Sequence, residues 1–172
     1  MKRLNVISAA ALLILLACRQ EAATGQSDKM NKTPKEEVEQ LMNALIPFAQ
    51  QMLAKRGEFY PYGGAITSAG KITMIGATDG DEHPTSQKLI DTLIEGFRLN
   101  AKKGEYRATG LVFDVKVKPP NSDQKTDAIQ INLDHASSLS IQVFLPYQIK
   151  SKGDVAYGEM FAQQGDAKIF KQ

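Results

Sequence analysis

The chain has 172 residues, 42% hydrophobic and 23% charged, with 13 Gly, 7 Pro, 7% aromatic residues and a formal net charge of +2. That balance is too apolar for a disordered chain and suits one globular core. One Cys and no Trp leave no internal disulfide, no four-thiolate zinc site and no CxxC redox pair.

Lys2 and Arg3 precede an apolar run, Leu4 to Ala17, interrupted only by Asn5 and Ser8. As a helix that run reaches about 20 Å, short of the roughly 30 Å hydrocarbon core, so residues 1–17 read as a signal peptide. It ends Leu15-Leu16-Ala17-Cys18, which resembles the lipobox of bacterial lipoproteins: a branched residue, a tolerant position, a small residue at the cut, then the cysteine that takes the lipid. The resemblance implies lipidation of Cys18 and attachment to a membrane through its acyl chains, each buried methylene adding about 0.8 kcal/mol. It also implies a place in the cell envelope, at the outer membrane facing the periplasm if the cell is Gram-negative, since Arg19 rather than Asp follows the cysteine. Loss of residues 1–17 removes Lys2 and Arg3 and leaves 19 basic against 19 acidic side chains. A neutral mature domain offers nothing that selects nucleic acid. Residues 18–32 are polar and small, without a hydrophobic period, and read as a flexible tether to a single globular domain at 33–172.

Thr33-Pro34-Lys35-Glu36 combines an N-cap, a first-turn proline and a capping-box glutamate. Val38, Leu41, Met42, Leu45, Ala49, Met52 and Leu53 then recur at helical period. Pro47 predicts a kink near Ile46, and Lys55-Arg56-Gly57 a C-terminus. Two strand-like runs, Glu58–Thr67 and Lys71–Thr78, flank the turn Ser68-Ala69-Gly70, with Pro61 and Gly63-Gly64 predicting a bulge or an irregular start. A second helix is predicted from about Thr85 to Lys103, with Leu89, Ile90, Leu93, Ile94, Phe97 and Ala101 as its apolar stripe. Leu111, Phe113, Val115 and Val117, then Ile129, Ile131 and Leu133, then Leu139, Ile141, Val143 and Leu145 alternate with other residues in three further runs. Val155 to Phe161 adds a last strand. Such alternation predicts one buried and one wet face. The fold class expected is α+β, an antiparallel meander sheet of five or six strands with two helices packed on one face.

The element order resembles the profilin-like and roadblock-like architecture, whose members mostly bind proteins or small ligands. The stretches GEFYPYGG, DGDEHP, AKKGEYRATG, FDVKVKPP and VFLPY also resemble a family of small bacterial proteins without an assigned activity. Neither resemblance carries a catalytic residue over.

No GxSxG elbow precedes a helix, and Gly64 to Ile72 fails as a phosphate loop because Ile72 stands where a magnesium-binding hydroxyl is needed. The acidic turn Asp79-Gly80-Asp81-Glu82-His83-Pro84 holds three carboxylates and an imidazole between a strand end and a helix start. As an EF-hand it breaks at Pro84 and Ile90. As a transition-metal site of Asp79, Asp81 and His83 it needs His135 as a further ligand; as an acid/base site it would use Asp79, Asp81, Glu82 and His83. Against this stands a plain turn whose acids favour the start of the following helix. Phe59, Tyr60 and Tyr62 are the densest aromatic group, and Lys116, Lys118 and Phe144 lie on the expected wet face, so these six are the candidate binding residues. Two functions follow: a lipid-anchored, non-enzymatic binding or accessory module, of an immunity-like kind among others, for another envelope protein or a small ligand and without a cofactor; or a metal- or carboxylate-dependent hydrolase built on the acidic turn.

Overall fold

The structure, a computed structural model, describes residues 32–78 and 80–170. The signal segment, Cys18, most of the tether and Asp79 lie outside them. The remainder forms one compact unit with the order α1 (Pro34–Arg56), β1 (Tyr62–Thr67), β2 (Ile72–Gly76), α2 (Ser86–Lys102), β3 (Tyr106–Val117), β4 (Thr126–His135), β5 (Ser140–Ser151), β6 (Asp154–Tyr157) and β7 (Phe161–Gln164). The fold is α+β and mostly sheet. Seven strands, rather than five or six, form one antiparallel sheet in the order β2-β1-β3-β4-β5-β6, with β7 beside β5 as well.

α1 starts as its sequence predicts. Thr33 accepts from the Glu36 N–H, Glu36 answers at the Thr33 N–H, and Gly57 closes the helix at φ 80°. Those hydrogen bonds hold the exposed Glu36 carboxyl below its ordinary pKa. Pro47 stays within the helix, and Tyr62 of β1 completes the disturbed turn. Its hydroxyl donates to the Leu45 carbonyl at 2.7 Å and accepts from the Ala49 N–H at 3.2 Å. The phenol thus stands between two groups that an undisturbed helix would pair with each other.

The helices lie on opposite faces of the sheet, not on one. Val38, Leu41, Leu45 and Leu53 of α1 pack with Ile66, Val112, Ile129, Ile131, Leu133 and Val143. Leu93 and Phe97 of α2 pack with Leu111, Phe113 and Ile75, joined by Ile169. Register explains the correction: Leu111 is paired with Asn132 and Val112 with Ile131, and opposed residues share a face. The apolar phase of β3 therefore points to α2 while that of β4 and β5 points to α1. Gly63 and Gly64 mark this compression instead of a bulge. A Cβ on Gly63 would strike the Gly110 carbonyl and Phe97, and one on Gly64 would reach Leu45 at 3.0 Å. The β1–β2 register is unbroken.

The break lies between β1 and β3, where Ile66 opposes Ala108 but Thr67 opposes Tyr106. Arg107 is the extra residue, and a bulge sets two successive side chains toward the same face. Arg107 accordingly points to α1, where it pairs with the buried Glu37, while Tyr106 joins the α2 core. After β7 the chain crosses back over the α2 face. Asp134, 6% exposed, accepts from the Lys168 and Ile169 N–H groups at 3.0 and 3.2 Å and from the Ser140 hydroxyl at 2.6 Å. The Arg98 Nε–H donates to the Lys168 carbonyl, and Ile169 closes the second core.

Candidate functional site

The concavity with the densest set of functional groups opens where α1 stops. Beyond Gly57 the α1 face of β3 to β6 is uncovered, leaving an open cleft of about 740 Å³. Its floor includes one row across four strands: Lys116 opposes Asp127, Asp127 opposes Tyr147, and Tyr147 opposes Tyr157. The Lys116 ammonium meets Asp127 at 2.6 Å. One step inward, Asp114 accepts from the Tyr147 hydroxyl at 2.8 Å. Partial burial pushes the Asp114 carboxyl above its ordinary range, and the nearby Asp127 charge adds to that while Tyr147 opposes it. Burial also raises the Tyr147 phenol, helped by the Asp114 carboxylate, and raises Tyr157. Both phenols are thus kept protonated, but Tyr147 is 7% exposed within the first core and spends its donor on Asp114, so the exposed Tyr157 is the phenol that offers a donor and a ring face to the cleft. The exposed Ile149, 41% accessible, lines the same cleft. Such a surface can hold a ligand by hydrogen bonds, charge and ring contact.

The sequence candidates scatter around this site. Lys116 belongs to it. Lys118 pairs with Asp123 at 2.8 Å on the neighbouring loop. Phe144 is not on a wet face: it is 6% exposed and stacks on Phe161 of β7 at 5.0 Å. Of the aromatic group, Tyr60 is exposed, Phe59 packs partly against the first core with its ring edge-on to Tyr62, and Tyr62 is 5% exposed inside that core. Tyr62 therefore splices α1 and is no binding residue, a correction that follows from the proline opposite it. Asp114, Asp127, Tyr147 and Tyr157 were missed. Asp114 sits among the polar residues that alternate with Leu111, Phe113, Val115 and Val117, and the β4–β5–β6 register that aligns the other three spans residues 126 to 157.

The acidic turn is tied up locally. The His83 N–H donates to Asp81 Oδ1 at 3.2 Å, and Gly80, at φ 83°, donates to the Thr78 hydroxyl. α2 begins only at the Thr85 cap with no acid in its first turn, so the acids sit ahead of the helix rather than on it. Glu82 and His83 are exposed. His135 is elsewhere. The turn leaves β2 after Gly76, which stands three strands across and four residues along from His135, a separation of roughly 20 Å. Both ring nitrogens of His135 are engaged: Nε2 with Glu37 at 3.0 Å and Nδ1 with Ser137. Since the Ser137 N–H donates to Nδ1, a neutral ring carries its proton on Nε2 and donates it to Glu37. Among the described residues no three His, Cys, Asp or Glu side chains gather where one metal ion could bind.

Among the described residues no helix is long and apolar enough to cross a membrane. Comparison of the chain with models of protein families, with curated proteins and with solved structures finds no match.

Proposed function

We propose that the chain is an envelope lipoprotein, processed before Cys18 and lipidated there, whose folded domain is a non-enzymatic binding or accessory module for another envelope protein or a small ligand. The row Lys116–Asp127–Tyr147–Tyr157, with Asp114 behind it, carries the reading. It gathers a cation, carboxylates and the exposed Tyr157 phenol above a buried Tyr147 on one open floor, the mixture by which polar ligands and protein segments are held. Apart from the opposed helices, the element order keeps a profilin- or roadblock-like architecture as part of this proposal.

The test is a photo-crosslinking side chain placed at Lys116, with one at Lys102 on α2 as control, in intact cells. An adduct of defined mass from position 116 alone supports the cleft as the recognition surface. Equal labelling from both positions, or none, rejects it. Cys18→Ala is expected to abolish acylation and release the protein from the membrane fraction; a mature product that keeps residues 1–17 rejects the anchor. Stoichiometric metal in the purified protein, lost on joint Asp81→Ala and His83→Ala substitution, would replace this reading with the hydrolase.

A further inference from the structure

The two edges of the sheet are built differently. On one side the edge of β5 is shared by β6 and β7, four residues each, with a register shift near Ile149 and Ser151. Short and irregular edge strands are poor templates for another chain. On the other side β2 is the last strand, and its sequence Ile72-Thr73-Met74-Ile75-Gly76 contains no charge, no proline and no bulge. The β1–β2 turn sets the hydrogen-bond phase. The Thr67 N–H donates to the Lys71 carbonyl at 2.9 Å, so alternation makes Ala65–Thr73 and Gly63–Ile75 the bonded pairs. The main-chain groups of Ile72, Met74 and Gly76 then point away from β1.

Apolar side chains border that edge on the α1 face. Met74 is 46% exposed and Phe48 is 42% exposed. The Phe48 ring lies edge-on to Tyr62 at 4.8 Å, and Tyr62 opposes Gly76. No atom lies within 4 Å of where a Gly76 side chain would begin. The edge thus has outward main-chain groups, a thioether, an aromatic shelf and an empty position between them.

We propose that β2 is a self-association edge, at which two copies of this chain pair their β2 strands antiparallel about a two-fold axis at Met74 and join their sheets. A strand without charge meets itself without repulsion, and an isologous contact needs only one self-complementary patch. In this register Met74 faces Met74 of the second copy, and Ile72 faces Gly76 at both ends. The isoleucine enters the vacancy beside Gly76, against Phe48. About six main-chain hydrogen bonds form. Lys71 of each copy comes opposite the uncharged Ala77 of the other, so no like charges meet at either end of the pairing.

The full-length protein, extracted in mild detergent, is weighed by light scattering across a concentration series, and Met74→Cys is oxidised with the wild type and Lys102→Cys in parallel. A bonded antiparallel pair holds Cα atoms about 5.5 Å apart, within the range a disulfide spans. The expected results are a dimer mass for the wild type, a covalent dimer from Met74→Cys but not from Lys102→Cys, and at least about tenfold weaker dimerisation in Met74→Lys, where two ammonium groups meet on the axis. A monomer at every concentration with no Met74→Cys link overturns the proposal. So does a dimer that persists in Met74→Lys while Met74→Cys fails to link, since another surface then holds it. Linking of Met74→Cys to a different protein overturns the self-pairing and makes β2 a site for a foreign strand.

Discussion

Tyr62→Phe removes one oxygen atom and tests the splice in α1. The ring remains between Phe48 and Phe59, so packing changes little. The Leu45 carbonyl loses its donor and the Ala49 N–H its acceptor, in residues both 0% exposed. A buried polar group left unpaired costs about 1–3 kcal/mol. Two such groups, with partial relaxation of the turn, give an expected loss of about 2–4 kcal/mol. The proline makes the argument specific. Pro47 removes its own bond to the Asn43 carbonyl and its ring crowds the turn in which Leu45 and Ala49 lie, whereas Pro47→Ala restores that N–H and relieves the crowding. Urea denaturation of the two single variants and the double variant forms a cycle. The expected coupling is at least about 1 kcal/mol, with Tyr62→Phe costing less in the Pro47→Ala background. Additive effects would refute the claim that the hydroxyl serves the proline turn, and a cost for Tyr62→Phe below about 0.5 kcal/mol would refute the splice itself.

Asp134→Ala frees the segment that crosses the α2 face; the expected cost is about 2–4 kcal/mol from its lost hydrogen bonds, with faster hydrogen exchange at the Lys168 and Ile169 amides, and unchanged exchange there would contradict the anchor. Leu93→Ala empties a site 3% exposed and is expected to cost about 2–5 kcal/mol, while Lys116→Ala, on a side chain 71% exposed, stays within about 0.5 kcal/mol; equal effects in denaturant melts would mean the second core is misplaced. For Asp114 the folded pKa lies above its ordinary value of 3.8, so the native state holds the proton more tightly than the unfolded chain. Its contribution is fully present below the unfolded value and is lost as the pH rises through the raised one. The stability of the wild type relative to Asp114→Asn should therefore fall across that window in urea melts at stepped pH, and a rise would reverse the assigned cause.

Local signals in the sequence were legible because local contacts decide them. The Thr33–Glu36 box, the Gly57 cap and the Ser68–Gly70 turn each close over three or four residues and stand where the pattern puts them. Strand faces were not legible. Alternation in β3 separates Leu111 from Val112, but which phase meets which helix is set by pairing with Asn132 and Ile131, some twenty residues on. Phe144 looked solvated because the ring that covers it, Phe161, arrives from β7. His135 looked like a spare ligand because its acceptor, Glu37, is 98 residues earlier. The cleft shares this origin: three of its four row members meet only through the order of β4, β5 and β6.

The crossing segment that Asp134 and Arg98 hold sets the timing of folding. α1 can meet β1 to β5 once residue 151 has emerged, but the α2 core lacks Ile169 until eighteen residues later, and the Arg98–Lys168 bond spans 70 residues. Chains elongate at about 5–20 residues per second and form sequence-distant contacts slowly. For some seconds a growing chain therefore carries a finished layer on one side of the sheet and an open apolar trough along Leu93, Phe97 and Leu111 on the other. On the proposed reading of residues 1–17 as a leader, export before folding would give the chain to the folding compartment as a whole and would shorten that exposure.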